Sequence, residues 1–300
     1  MISWQDTDVL LIVNPLAGGW RGQRSVAKVI RAARSKFPRL DVLFTGKPSN
    51  GREYAIKAVA EGFGAVLCAG GDGTINEVIN GLAGSRVPLG IIPIGTANVL
   101  ARELGMPADT EHVVTSLLCG AVQRIPLGKA GERRFILMAG VGFDAYIIGR
   151  VHAGLKRLSG TLAYGVAGAE ALFRYPYPNF SVRIDGDLTQ ATSCIISKVR
   201  RYAGDFIFAP EASLQDPIFH VRIFQGSGPR VYAGHAVKVL SGATAIGGKA
   251  IALTAERVEI SSEDPVSVQV DGELIGPLPM TFSIERDALD LIFPAAPGQT

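Results

Sequence analysis

Cysteine, histidine and tryptophan are scarce in this chain of 300 residues, which contains three, four and two of them. Cys68, Cys119 and Cys194 are far apart and lie among apolar residues. This pattern excludes a disulfide framework and a zinc-binding spacing, and it predicts reduced, buried thiols in a cytosolic protein. The histidines follow no metal-ligand spacing either.

Long apolar runs are missing as well, and the first residues do not resemble a leader sequence. No stretch of about 18 uncharged apolar residues is present, so the sequence predicts no membrane-spanning helix. Residues 1–6 lack the basic start and apolar run of a signal peptide. The net charge of +3 is too small to make nucleic acid the main partner. We therefore expect a soluble cytoplasmic protein that is at most peripheral to a membrane.

Several common catalytic motifs are also absent. The chain has no G-x-x-x-x-G-K-[ST] loop, no G-x-S-x-G elbow and no H-E-x-x-H pair. Residues 140–145 fit G-x-G-x-x-A, but no βαβ pattern follows them. We therefore expect no dinucleotide fingerprint at that position.

The chain is 47% hydrophobic and 19% charged, so it can bury a large core, and its length suits two domains. Residues 8–125 alternate between strand and helix patterns, with Asp109 as the predicted N-cap of the last helix. The predicted strands are 8–14, 40–45, 64–69 and 89–92, and the predicted helices are 23–37, 50–61, 75–83 and a short one from Ala97. Alternation of this kind predicts an α/β domain, residues 1–125, with a doubly wound, mostly parallel sheet.

The pattern changes after residue 126. Period-2 alternation in residues 181–185, 257–260 and 266–270 predicts a β-rich, antiparallel, sandwich-like C-terminal domain over residues 126–286. Further strands are predicted at 191–199 and 219–224, and a helical segment near 160–173. We expect the C-terminal strand, within 287–300, to return to the first domain.

The most informative run is Gly70, Gly71, Asp72, Gly73 and Thr74, at the join between a strand pattern and a helix pattern. Glycines let the backbone approach a ligand closely, and the N–H groups and dipole of a helix start attract anions. A carboxylate beside such a site suits Mg²⁺ or its waters. The alternative is a tight strand-to-helix turn with Asp72 or Thr74 as N-cap.

Polar residues follow four of the predicted strands. Asn14, Thr45, residues 70–74 and residues 95–98 all lie at or soon after the end of a predicted strand. Ligands of parallel α/β sheets bind at the carboxyl ends of strands. This convergence favours a nucleotide site over a simple turn.

Basic residues are concentrated in residues 21–39, which contain no acid and also carry an apolar helical face. Two interpretations remain open for this segment. It is either a solvated helix face or a docking surface for anionic lipid.

Five segments together carry a resemblance to a known family. They are residues 13–19, with an Asn-Pro loop, residues 70–77, with GGDGT-x-N-E, and residues 93–105, 139–145 and 270–273. In this order the chain resembles, over essentially its whole length, the diacylglycerol-kinase catalytic-domain family. That family includes diacylglycerol kinases, sphingoid-base kinases and bacterial lipid kinases.

The resemblance implies a two-domain enzyme that uses ATP and Mg²⁺, with the nucleotide bound between an α/β domain and a β-sandwich lipid-binding domain. The positions that match the family's nucleotide site are Asn14, Pro15, Leu16, Ala17, Gly18, Thr45, Gly70, Gly71, Asp72, Gly73, Thr74, Ile75, Asn76, Glu77, Gly95, Thr96 and Asn98.

The resemblance also implies the catalytic residues. Asp271 and Glu273 match an Asp-Gly-Glu element that supplies the general base for the lipid hydroxyl, and Asp72 is the acid near Mg²⁺. The residues by themselves allow another interpretation, because Asp-Gly is also the favoured pair of a type I′ hairpin turn. The two interpretations are compatible.

The chain departs from the family at several positions. Val99 and Pro126 stand where many members have acids of a water and Mg²⁺ network around the glycine-loop Asp. A second-domain metal site is implied at Asp216, with Ser213 and Ile218. The basic segment 197–204, which includes Lys198, Arg200 and Arg201, is expected to bind an acidic headgroup or an anionic bilayer.

These observations together predict a lipid kinase that transfers the ATP γ-phosphate to a hydroxyl of a membrane lipid, such as diacylglycerol or a sphingoid base. Two alternatives remain. One is an NAD kinase-like enzyme, and the other is a regulator that binds lipid or nucleotide without catalysis. The sequence does not predict the lipid or the oligomeric state.

Overall fold

The computed structural model describes residues 3–47, 50–150, 160–202, 206–240 and 250–295. The chain divides into two compact units. The first contains Met1–Pro126 and Asp287–Thr300, and the second contains Leu127–Arg286. That the first unit binds nucleotide and the second binds lipid stays a prediction.

The first unit is built on a parallel sheet. Its strands are β1 (Val9–Val13), β2 (Leu40–Phe44), β3 (Ala65–Gly70) and β4 (Leu89–Pro93), in the order β2-β1-β3-β4. Neighbouring strands are parallel, with Val9 opposite both Leu40 and Ala65. Strands β1 and β3 are buried throughout, as expected when helices cover both faces. The predicted α/β domain with a mostly parallel sheet is confirmed.

The helices of this unit follow the predicted order. They are α1 (Gly19–Lys36), α2 (Asn50–Ala60), α3 (Asp72–Leu82), α4 (Val99–Glu103) and α5 (Thr110–Leu118). Asp109 caps α5 as predicted, because its carboxylate accepts from the N–H groups of Glu111 and His112.

Two helices begin earlier than predicted. Helix α1 begins directly after Gly18, which adopts a left-handed backbone (φ 67°) that no hydrophobic periodicity signals. The N-cap of α3 is Gly71, so Gly73 and Thr74 are already helical. The expectation that Asp72 or Thr74 is the N-cap of this helix is therefore wrong.

The second unit consists mainly of antiparallel strands. They are β5 (Ala121–Ala130, which begins in the first unit), β6 (Arg133–Phe135), β7 (Met138–Gly142), β8 (Phe180–Ile184), β9 (Asp187–Ala191), β10 (Ser193–Ser197), β11 (Arg201–Tyr202), β12 (Phe206–Ile207), β13 (Phe219–Phe224), β14 (Ala250–Ala255), β15 (Arg257–Ser261), β16 (Ser267–Val270), β17 (Glu273–Pro277) and β18 (Met280–Phe293). One sheet has the order β14-β13-β10-β7-β16-β17, and β18, β15, β8 and β9 are neighbours in another.

The two antiparallel sheets share one core. Phe135, Phe180, Phe219 and Phe282 are buried in it, and the rings of Phe135 and Phe219 stack at 5.7 Å. This arrangement confirms the predicted sandwich-like fold, in which side chains of both inner faces interdigitate.

The second unit also contains helices. They are α6 (Phe143–Arg150), α7 (Gly160–Arg174) and α8 (Pro229–Leu240). Helix α7 matches the predicted helical segment, whereas α6 and α8 have no counterpart in the sequence prediction. The predicted strand 191–199 is interrupted at Thr192, whose hydroxyl contacts the carbonyl of Gly226 and the hydroxyl of Tyr232, both at 2.7 Å.

The last strand takes part in both units. Its first half pairs with β15, where Met280 lies opposite Ile260, and Leu291 in its second half pairs in parallel with Leu89. Asp287, where the chain enters the first unit again, has a positive φ of 50°. Among the described residues, no helix is long and apolar enough to cross a membrane.

Candidate functional site

The carboxyl ends of β1 to β4 form one edge of the first unit, and the loops that leave them are joined by backbone hydrogen bonds. The N–H of Asn14 bonds to Ala69 O at 2.9 Å, and the N–H of Thr45 bonds to Val13 O at the same distance. The N–H of Ile94 bonds to Gly70 O at 3.1 Å. The structure therefore brings together, along this edge, the nucleotide-binding residues that were predicted from four separate segments.

The loops after β3 and β4 approach each other backbone to backbone. A Cβ on Gly95 would lie 2.5 Å from Gly71 Cα and 2.7 Å from Asn98 Oδ1. A Cβ on Gly70 would lie 2.8 Å from the Cβ of Thr74. Part of the glycine pattern is thus explained by packing, between the two loops at Gly95 and within the strand-to-helix turn at Gly70, because a side chain would displace the neighbouring atoms.

Asp72 connects the same two loops electrostatically. Its Oδ2 accepts from the N–H of Val99 at 3.1 Å and its Oδ1 from the N–H of Leu100 at 3.2 Å. The side chain of Asn98, the N-cap residue of α4, makes no capping bond, so Asp72 caps that helix from outside it. Burial raises the pKa of Asp72, and the N–H donors oppose that rise.

Asn14, Thr74 and Asn98 add polar groups to the edge. Asn14 Nδ2 donates to Thr74 Oγ1 at 2.8 Å, and Asn14 Oδ1 accepts from the N–H of Leu16 at 2.9 Å. Asn98 Nδ2 donates to Gly95 O at 2.9 Å. Its Oδ1 is a buried acceptor without a hydrogen-bond partner in the described part of the chain.

Three other predicted nucleotide residues make contacts inside the first unit. Ile75 is buried in its core. Asn76 is also buried, and its Oδ1 accepts from Asn80 Nδ2 at 3.1 Å. Glu77 Oε2 accepts from the N–H of Gly51 at 3.0 Å and so holds the start of α2. Their part in nucleotide binding stays a prediction.

In the second unit, Asp271 and Gly272 form the two-residue turn between β16 and β17. Both have positive φ, 46° and 84°, and Val270 pairs with Glu273, as a type I′ hairpin requires. The hairpin interpretation of Asp-Gly is confirmed, and it leaves the catalytic interpretation possible.

Backbone donors hold the side chain of Asp271. Its Oδ1 accepts from the N–H groups of Leu137 and Met138, both at 3.0 Å, and its Oδ2 accepts from the N–H of Ile136 at 2.9 Å. Three donors hold this carboxylate in one direction.

Glu273, two residues farther along, pairs with a basic side chain instead. Its Oε2 lies 2.5 Å from the guanidinium of Arg133, and the Glu273 side chain is 42% exposed. No sequence signal marks Arg133 as a partner, because the two residues are 140 positions apart.

Comparison with known proteins agrees with this geometry. Residues 8–130 match the family described as "Diacylglycerol kinase catalytic domain". Residues 138–293 match the family described as "YegS C-terminal NAD kinase beta sandwich-like domain". A diacylglycerol kinase of Bacillus subtilis (strain 168) is 30% identical over 277 residues, which cover 91% of each chain. The chain belongs to the diacylglycerol kinase family.

Further members of the diacylglycerol kinase family show similar agreement. A diacylglycerol kinase of Staphylococcus aureus (strain MRSA252) is 29% identical over 92% of this chain and 89% of the relative. The crystal structure of a diacylglycerol kinase from Bacillus anthracis str. Sterne has a TM-score of 0.75 at 21% identity and covers 98% of both chains. The structural likeness supports the fold of both units.

The predicted basic cluster of this diacylglycerol kinase family member needs a correction. Lys198 is fully buried, so the expectation that it forms an anion-binding surface with Arg200 and Arg201 is wrong. Its ammonium group donates to the carbonyl oxygen of Asp216. Burial lowers the pKa of Lys198 to about 8, while the charge of Asp216 acts in the opposite direction.

The same contact bears on the predicted second-domain metal site. The carbonyl of Asp216 accepts from the Lys198 ammonium, and Ser213 O and Oγ accept from the N–H groups of Asp216 and Gln215, both at 3.2 Å. Within the described ranges, no group of three or more His, Cys, Asp or Glu is placed to hold a metal ion. The metal site at Asp216, Ser213 and Ile218 stays a prediction, and we expect the buried ammonium of Lys198, which lies at the carbonyl of Asp216, to disfavour a divalent cation there.

We predict that Mg²⁺ and EDTA give the same melting temperature for the nucleotide-free protein. K198M should lower that temperature in both conditions, because it leaves the carbonyl of Asp216 without its donor. The exposed Lys36 offers a matched control, and K36M should leave the melting temperature unchanged. A Mg²⁺-dependent rise that disappears in D216A would contradict this assignment.

Proposed function

We propose that this protein is a lipid kinase that transfers the γ-phosphate of ATP to a hydroxyl of a membrane lipid, such as diacylglycerol or a sphingoid base. Membership of the diacylglycerol kinase family supports the reaction class. The observation that carries the proposal furthest is the glycine loop at the start of α3, with Asp72 inside it.

The edge formed by the strand ends suits a nucleotide. N–H groups at the start of α3 and the positive end of its dipole favour phosphate. Asn14, Thr45 and Asn98 supply polar side chains from three further strand ends, and the buried Asn98 Oδ1 suits a donor on the ligand.

ATP reacts as its magnesium complex, and the residues on this edge fit such an ion. Mg²⁺ usually keeps several waters and takes one or two protein carboxylates in addition to substrate phosphates. Asp72 is the carboxylate in the glycine loop, and Val99 and Pro126 add none. The ion would neutralise charge on the transferred phosphoryl group.

We assign the general base to Asp271. A base for phosphoryl transfer has to be held in one orientation relative to the attacking hydroxyl. Three backbone N–H groups hold Asp271 in that way, whereas Glu273 is partly exposed and neutralised by Arg133. Glu273 then has a secondary role, in orienting the turn or the lipid.

The reaction can be tested with purified protein, Mg-ATP and a total lipid extract. Mass spectrometry of the products should show a phosphorylated lipid alcohol. A parallel reaction with NAD tests the NAD kinase-like alternative, and NADP formation would support it. Binding of ATP or lipid without either product would favour a non-catalytic regulator.

We predict that D72N abolishes turnover but leaves the protein folded. The amide keeps the shape of the side chain and one of the two acceptor oxygens that cap α4, but it removes the negative charge near Mg²⁺. Steady-state rates and circular dichroism measure the two effects. Asp109 is a matched control, because it also caps a helix of the first unit with its carboxylate, and D109N should stay active. Near wild-type turnover in D72N would leave Asp72 with a capping role alone.

We predict that D271N lowers kcat by roughly 10²–10⁴-fold, the usual contribution of a general base, with little change in the KM for ATP. Asparagine tolerates a positive φ, so the turn should persist. The Asp185 and Gly186 turn between β8 and β9 has the same sign of φ at both residues, and D185N is the matched control. A larger loss in E273Q than in D271N would reverse the assignment.

We also propose peripheral contact with an anionic bilayer through α1. Arg24, Arg31 and Arg34 are exposed on this helix, and each basic residue near an anionic surface contributes about 1 kcal/mol. Sedimentation with phosphatidylglycerol vesicles should decrease as salt rises and in the triple variant R24E/R31E/R34E. Equal sedimentation with neutral phosphatidylcholine vesicles would contradict electrostatic docking and would support the interpretation of α1 as a solvated helix face.

A further inference from the structure

A buried carboxylate lies beside the proposed catalytic turn and has no role in the reaction described so far. Asp144, the second residue of α6, is 6% exposed. The hydroxyl of Tyr202 donates to its Oδ1, and Gln269 Nε2 donates to its Oδ2 at 2.5 Å. Burial raises the pKa of Asp144, and both hydrogen bonds oppose that rise.

The glycine-rich segment 139–145 makes the space for this carboxylate. A Cβ built on Gly140 would overlap with Asp144 Oδ2 and would lie 2.8 Å from Gln269 Nε2. Any side chain at position 140 would therefore push apart the Asp144 and Gln269 side chains. This explains a sequence motif that resembles a dinucleotide fingerprint but is followed by no βαβ unit.

Gln269 transmits the position of Asp144 to the catalytic turn. Its side chain is buried on β16, and its Oε1 accepts from the N–H of Gly272 at 2.9 Å. An amide has one donor end and one acceptor end. Because both Asp144 oxygens accept, one from the Tyr202 hydroxyl and one from Gln269 Nε2, Asp144 fixes which end of Gln269 faces Gly272.

We propose that Asp144 is a positioning residue for Asp271. Asp144 orients Gln269, and Gln269 in turn accepts the N–H of Gly272 and so holds one side of the turn. The N–H groups of residues 136–138 hold the Asp271 carboxylate itself. The assignment rests on the proposed function, in which Asp271 is the general base. Asp144 acts through Gln269 and is not assigned a contact with substrate.

Burial of a carboxylate costs free energy, so a buried position for Asp144 calls for a compensating function. Two donors compensate only part of the desolvation cost, and apolar residues of similar volume would fill the same space more cheaply. The expected gain is orientation, since a misplacement of about 1 Å in a reacting group can cost about 10²-fold in rate.

A charge exchange between Asp144 and Gln269 tests the pairing. D144N replaces two acceptor oxygens by one acceptor and one donor, so its Nδ2 faces either the Tyr202 hydroxyl, which then has to accept, or the Gln269 amide, which then has to rotate and turn its donor end toward the N–H of Gly272. We expect the second arrangement to be populated. Q269E places two carboxylates in contact. The double variant D144N/Q269E restores every donor and acceptor, including the bond to Gly272, and keeps the total charge.

We expect each single variant to lower kcat about 10- to 100-fold with an unchanged KM for ATP, and the double variant to recover most of that loss. In a D271N background, D144N should cause little further loss, because the group that it positions is already missing. Melting temperatures of all variants show whether the protein remains folded.

Amide hydrogen exchange supplies a readout that does not depend on activity. Exchange at Gly272 should become faster in D144N and return to the wild-type rate in D144N/Q269E. The turn at Asp185 and Gly186 serves as an internal control, and its exchange should not change.

The outcomes separate this inference from the proposed function. Unchanged exchange at Gly272 in D144N, or a double variant as impaired as folded single variants, would overturn the role of Asp144. The role of Asp144 would also be overturned if D144N exchanges faster at Gly272 but keeps the wild-type kcat, while D271N is inactive. A fully active D271N would instead contradict the assignment of the base, while exchange would still report on the Gln269 anchor.

Discussion

The carboxylate of Asp72 bonded to the first N–H groups of α4 is the interaction on which the candidate nucleotide site depends. It joins the loop after β3 to the loop after β4, and it is possible only because Gly71 and Gly95 let the two backbones approach. Without this contact, the start of α4 would lack its cap and the edge of the sheet would lose its shape. A single acid thus supports both loops, and under the proposed function it would also supply negative charge near the magnesium complex.

The second unit repeats this arrangement with different elements. Asp271 is also held by backbone N–H groups, here those of residues 136–138 at the start of β7. Each proposed functional carboxylate therefore takes its orientation from the backbone, which is the most rigid source of donors in a protein. Long flexible partners are used where rigidity matters less, as between Glu273 and Arg133.

The departures from the family have structural explanations in this chain. Val99, which stands where an acid was expected, contributes its N–H to Asp72 and buries its side chain. In the second unit, Lys198 places a buried ammonium at the carbonyl of Asp216, where a metal was expected.

The order of elements and the chemistry of the main loops could be predicted from the sequence because they depend on local patterns. Apolar periodicity marked the parallel strands, and Asp109 marked a helix start that the structure confirms. Asp-Gly marked a hairpin turn because only a few residue pairs accept two positive φ angles. The segments that resemble the diacylglycerol kinase family were likewise recognisable from the sequence alone.

Tertiary structure alone decided which groups these residues contact. Three contacts depend on positions that are distant in sequence. They are the contact of buried Lys198 with Asp216, the capping of α4 by Asp72 and the contact of Asp144 with Gln269. From sequence alone, a charged side chain is predicted to be exposed. It can be buried only where the fold supplies a partner that compensates its desolvation. Local sequence determines where the chain turns, whereas the partner of each polar group is set by strand pairing and by the packing of the core.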